Sequence, residues 1–174
     1  MEDRRKLLND FLDAFPLETL KDMPLEKYTN LNRSDSFCYW VESRTYALGS
    51  IWGGSAYKFG IYKYNERPKG TASRVLFDDT YAWYSKNGQT AEEAYAMIRS
   101  EIVKIATHAR NLELEAIDKI TTFGDVFKWK IAFLYSQENL IPIYNREMLE
   151  TVTAALGADE PAKKSIPYMQ RFLL

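Results

Sequence analysis

The segment that most constrains this chain begins at Thr90. Thr90 is followed three residues later by Glu93, the reciprocal arrangement that satisfies two otherwise orphaned backbone N–H groups at a helix start. Ala91, Ala94, Tyr95, Ile98, Ile102, Ile105 and Ala109 then recur at helical spacing and make one apolar stripe. The spacing predicts a helix from about Thr90 to Leu112. A stripe of that length must be covered by other elements, so the rest of the chain is read by what it can bring to this face.

Before it, residues 3–14 predict a helix with Leu7, Leu8, Phe11, Leu12 and Phe15 on its apolar side, stopped by Pro16. Short helical turns are expected at Pro16–Lys21 and Leu25–Tyr28. Phe37–Val41 and Lys58–Tyr64 read as two partnered strands, each with alternating faces. Arg74–Phe77 and Tyr81–Tyr84 read as two further short strands, and Asn87-Gly88 as a turn. After the long helix, Leu114–Ile120 either continues it or forms a separate turn. Trp129–Tyr135 and Leu140–Tyr144 read as two more strands, with Pro142 on an edge. Arg146–Leu156 reads as a helix closed by Gly157, and Ser165–Leu174 as the start of another. The order is helices, strands, long helix, strands, helices. That is not a βαβ alternation, so the expectation is an α+β fold. It would be a single domain, 1–174, with a small mixed or antiparallel sheet packed by the long central helix and terminal helices. Residues 1–157 are expected to form the core, and 158–174 a connection and helix leading toward a further domain.

Composition narrows the function classes. With 46% hydrophobic and 27% charged residues, the chain has the balance of a soluble globular domain. No apolar run approaches the roughly 18 residues that span a bilayer, and the opening residues lack the apolar core of a signal peptide. The lone Cys38 excludes an internal disulfide and suits a reducing cytoplasmic setting. One histidine, His108, and one cysteine give no zinc-binding spacing and no nucleophilic triad. Asp78-Asp79 reads as a loop or cap before it reads as a metal ligand pair. No catalytic residue, metal or cofactor is therefore assigned. Gly49-Ser50-Ile51-Trp52-Gly53-Gly54-Ser55 is glycine-rich, yet lacks the GxxxxGK[ST] phosphate loop and the GxGxxG fingerprint. Its alternatives are a tight turn or a loop that a ligand can approach closely.

Charge and aromatic content then single out one region. The net charge is −1, but between Ser43 and Ser73 the basic residues Arg44, Lys58, Lys63, Arg67 and Lys69 face only Glu66, and Arg74 follows. Aromatic residues, 14% of the chain, are dense in the same stretch. Cations hold phosphates and aromatic rings stack on bases, so the pattern points to a nucleic-acid surface. Lys58, Lys63, Arg67, Lys69 and Arg74 are the candidate phosphate contacts. Trp40, Trp52, Tyr57, Tyr62 and Trp83 are the candidate base-stacking residues. The alternative is a protein-interaction or assembly module, with the aromatics as a hot-spot patch.

Two blocks carry a family resemblance. SFCYWVE…LGSIWGGSAYKFGIY resembles the amino-terminal region ahead of the AAA+ motor in McrB-like proteins, the GTPase subunits of modification-dependent restriction systems. Lys128–Tyr144, KWKIAFLYSQENLIPIY, is similar to the segment such proteins carry shortly before the motor. Together the blocks cover about half of the chain. The resemblance implies a DNA-recognition domain of a bacterial defence system, reading double-stranded DNA and in some members a modified base by stacking or flipping. It implies as partners the protein's own AAA+ motor and a McrC-like nuclease, and it implies that this chain is the recognition part of a longer protein. These amino-terminal domains differ in fold between members. The site residues above come from the basic and aromatic pattern alone.

Overall fold

The computed structural model describes residues 3–32, 35–67 and 73–174. The fold is α+β: a helical body with one small antiparallel sheet on its flank. The long helix, α4 (Ala91–Arg110), starts at the expected Thr90 cap, with the Glu93 carboxylate reaching back one residue beyond it. The Glu93 N–H reaches the Thr90 hydroxyl at 3.2 Å, and Glu93 Oε2 accepts from the Gln89 N–H at 2.8 Å. Its whole apolar stripe is buried. α4 packs against α6 (Asp125–Tyr135), and α6 also meets α1 (Arg4–Ala14). The 3₁₀ turn Leu17–Asp22 crosses α4, while α2 (Leu25–Tyr28) packs on α3 (Phe37–Tyr39).

Three of the expected strands are not strands. Phe37–Val41 is helical: Ser36 caps α3 by accepting the Tyr39 N–H, and the chain runs on through a π turn, Trp40–Arg44. Phe37, Cys38 and Val41 point into the core from one side of this turn. Trp129–Tyr135 is the body of α6. Every residue from Phe127 to Tyr135 is buried, so the helix has no polar face to reveal its period. Leu140–Tyr144 has no ladder partner. The Gln170 side chain supplies it instead, accepting from the Ile141 N–H at 3.0 Å and donating to the Ile143 carbonyl at 3.1 Å.

The sheet consists of β1 (Ile61–Lys63), β2 (Val75–Phe77) and β3 (Tyr81–Tyr84), in the order β1-β3-β2 and antiparallel throughout. Only the last part of the expected Lys58–Tyr64 strand forms one. Ala56–Phe59 is a 3₁₀ turn, and Gly60, at φ +80°, makes the corner into β1. The partner of β1 is β3, not Phe37–Val41. Ile61 lies opposite Trp83, Tyr62 opposite Ala82 and Lys63 opposite Tyr81. Asp78 closes the β2–β3 hairpin, its carboxylate accepting the N–H groups of Thr80 and Tyr81 at 2.7 Å each. The inner face, with Ile61, Tyr81 and Trp83, belongs to the core that α4 covers.

α5 (Leu114–Asp118) is a separate turn after α4. α7 (Arg146–Ala155) and α8 (Ile166–Phe172) pack on each other. The core extends past residue 157, because Ile166 and Met169 are fully buried in it. Arg171 also grips Glu115 of α5 through two hydrogen bonds. The tyrosine excess is partly explained here. Tyr28, Tyr95, Tyr135 and Tyr144 are buried, and each donates its hydroxyl to a distant backbone carbonyl, of Phe59, Met23, Phe15 and Leu48 respectively. Among the described residues, no helix is long and apolar enough to cross a membrane.

Candidate nucleic-acid interface

Strand alternation separates the sheet's two faces. Opposite the core side lie Tyr62 from β1, Ala82 and Tyr84 from β3, and Val75 and Phe77 from β2. Tyr57, from the 3₁₀ turn before β1, joins this outer face. Its ring is edge-on to Tyr62 (centroids 5.0 Å apart, 86°) and tilted against Tyr84 (5.3 Å, 37°). The three tyrosines are half-buried, so each keeps ring surface open to solvent. Burial and the neighbouring Tyr57 push the Tyr62 hydroxyl's pKa up, so it stays a neutral donor. Arg67 lies over the Phe77 ring at 4.4 Å, at the far edge of the same face. Arg74 is exposed and, with Tyr57 and Tyr84, lines a cleft of about 520 Å³ that reaches Thr121–Gly124.

Beside this face stands the glycine-bearing loop. Gly49, Gly53 and Gly54 all have positive φ, and Trp52 at the loop's tip is 77% exposed. Two lysines hold the loop by its carbonyl groups. Lys130, fully buried on α6, donates to Thr45 at 2.9 Å, Leu48 at 3.2 Å and Gly49 at 2.7 Å, and lies over the Tyr144 ring at 5.2 Å. Burial pulls the pKa of its ammonium down to about 7. Three carbonyl acceptors nevertheless match the three N–H donors of the charged form, whereas a neutral amine has only two. Lys58 donates to Ile51 at 3.0 Å and Gly53 at 2.8 Å, and forms an ion pair with Glu42. A second cleft, of about 790 Å³, lies between this loop and α7. Trp52, Ile143 and Met148 are among its lining residues.

The expected site residues divide accordingly. Tyr57, Tyr62, Arg67 and Arg74 come together on the outer face, and Trp52 projects from the adjoining loop. Trp83 does not join them. It lies on the inner face, 3% exposed, with its indole N–H bonded to the Gly88 carbonyl at 3.0 Å. Trp40 is half-buried against Phe11 and Phe15. Lys58 spends its charge on Glu42 and the loop carbonyls. Lys63 points to the inner side, 5.8 Å from the Tyr81 ring, away from Tyr62. Lys69 lies outside the described residues. Two residues absent from the expected set belong to the site: Tyr84 and Lys86. Tyr84 was signalled by the alternation of Tyr81-Ala82-Trp83-Tyr84, which puts it on the face opposite Trp83.

Cys38 and His108 lie apart from this face. Burial pushes the Cys38 thiol well up, away from the reactive thiolate. His108 Nδ1 lies 2.6 Å from the Glu113 carboxylate on the surface. Among the described residues, no three His, Cys, Asp or Glu side chains are grouped to hold a metal ion. Comparison with protein-family models, with curated proteins and with solved structures found no match for this chain.

Proposed function

We propose that this chain is a DNA-recognition domain. The observation that carries the reading is the outer sheet face, where Tyr57, Tyr62 and Tyr84 cluster beside Arg67 and Arg74. The ring surface these half-buried tyrosines leave open offers stacking worth about 1–3 kcal/mol per base, and the guanidinium groups offer charge-assisted bonds to phosphate. The sequence resemblance to McrB-like proteins supports the same reading. In that setting the domain supplies specificity, in the cytoplasm, to an AAA+ motor and a McrC-like nuclease, and the chain is not itself the enzyme.

The test is a gel-shift or anisotropy titration at 50 mM salt against plain, methylated and hydroxymethylated duplexes and single strands. Salt-sensitive binding that falls when Arg67 and Arg74 are replaced by Ala supports the reading. No shift with any of these ligands refutes it.

A second reading, a docking module for a motor or partner subunit, is favoured by Trp52 and Met148. Both are exposed and line the 790 Å³ cleft beside α7. Co-purification of a partner that is lost in Trp52→Ala, with no nucleic-acid affinity, would favour it over the first.

A further inference from the structure

We infer that the cleft between Tyr84 and the Thr121–Gly124 segment seats one unpaired nucleotide, so that the preferred ligand is single-stranded DNA rather than an intact duplex. The inference rests on the nucleic-acid reading above and adds to it the class of strand.

The cleft's volume, about 520 Å³, suits a ligand of nucleotide size. One wall presents the Tyr57 and Tyr84 rings. Arg74 and Lys86 stand on its lining beside Lys58, whose charge Glu42 already balances; the lining itself contains no carboxylate. Lys86 is held in place: its ammonium donates to the carbonyl groups of Thr122 at 3.2 Å and Thr121 at 3.4 Å, and lies 6.0 Å from the Tyr84 ring centre. An ammonium has three N–H donors, so one remains for a ligand. Arg74 has no ion pair among the described residues, so its forked donors are open to a phosphate. A ring surface beside Arg74 and Lys86, neither of which has an ion pair among the described residues, selects a ligand with a flat apolar face and a negative charge. A nucleotide has both. Within a duplex each base is covered on both faces by its neighbours, and the tyrosines have nothing to stack on. An unpaired base leaves a face free.

Gly124 provides a test that separates binding from folding. It lines the cleft and is the N-cap of α6, at φ −67° and ψ 155°, with no side-chain cap. A Cβ built there meets nothing within 4 Å. Ser or Asp is thus compatible with the backbone, and either supplies the missing cap. Gly124→Asp also brings a negative charge to the cleft; Gly124→Ser does not.

The experiment measures anisotropy of fluorescein-labelled dT12 and of a 12-base-pair duplex, alongside thermal melting of each variant. The expected result is wild-type binding to dT12 at least about tenfold tighter than to the duplex. Both variants should melt at or above the wild-type temperature. Gly124→Asp should weaken dT12 binding about tenfold or more, and Gly124→Ser by less than about twofold. Equal affinity for the two strand forms overturns the inference and leaves the DNA reading standing. So does a well-folded Gly124→Asp that binds dT12 like wild type. Binding to neither form overturns the inference, and the methylated and hydroxymethylated duplexes then decide the DNA reading.

Discussion

The ammonium of Lys130 donates to the carbonyl oxygen of Gly49 at 2.7 Å, across 81 positions of sequence. A buried helix thereby fixes the root of the loop that carries the exposed Trp52. The same lysine makes stability depend on pH. Burial lowers its pKa to about 7, below its ordinary value, so between those values the unfolded chain holds a proton that the folded chain releases. Stability therefore rises with pH from about 7, at up to roughly 1.4 kcal/mol per pH unit. The buried Cys38 and the buried tyrosines act the other way, because their folded pKa values are raised. Their unfolded forms ionise from about pH 8.5 and 10 respectively, and stability falls from there. Urea unfolding at pH 7.0 and 8.3 should show the rise, and Lys130→Met should flatten it.

The loop's glycines differ in what surrounds them. Gly49 has φ +95°, and an added Cβ would sit 2.7 Å from the Pro142 carbonyl oxygen and 2.8 Å from the Tyr144 ring. Gly53 has φ +104° with open space around it. Gly53→Ala should cost about 1–2 kcal/mol, the strain of the left-handed backbone alone. Gly49→Ala adds a clash with fixed backbone and should cost about 3 kcal/mol or more. Denaturant midpoints of the two variants check the order.

Trp52 contributes surface and little stability. Trp52→Ala should change unfolding free energy by less than about 0.5 kcal/mol. The other tryptophans are buried or, for Trp40, half-buried. Trp52→Phe should therefore remove most of the fluorescence that acrylamide quenches readily. A large loss of stability in Trp52→Ala would show that the loop's tip is packed in solution.

On the DNA reading, Arg67 and Arg74 each displace about one condensed counterion. The double Ala variant should reduce the slope of log K against log salt by about 1.4 for single strands or 1.8 for duplex. Lys58→Met should behave differently. It breaks the Glu42 pair and frees two loop carbonyls, so it should lower stability and leave that slope largely unchanged.

The sequence was most legible where period and capping agree. The Thr90/Glu93 pair and seven stripe positions located α4, and the short strands β2 and β3 fall within the expected Arg74–Phe77 and Tyr81–Tyr84. α6 was misread because burial on all sides removes the helical period, and its two lysines imitate strand alternation. Both Lys128 and Lys130 are buried with their ammonium groups on backbone carbonyls, which no sequence window reveals. The Phe37–Val41 run carried a usable signal, since Ser36 is a good helix cap. Its aromatic content pulled the reading toward a strand. At the site, positive charge in a sequence stretch did not mean charge on one surface. Lys58 and Lys63 turn inward, while Arg67 and Arg74 stay out. The sequence reading took Trp83 as a stacking candidate; strand alternation gives the outward position to Tyr84.

The order β1-β3-β2 has one more consequence. The longest strand is in the middle, and both borders are only three residues long. An incoming chain finds too few unpaired N–H and C=O groups on either border to extend the sheet. The molecule can leave a broad aromatic surface uncovered without also offering a template for self-association through backbone pairing.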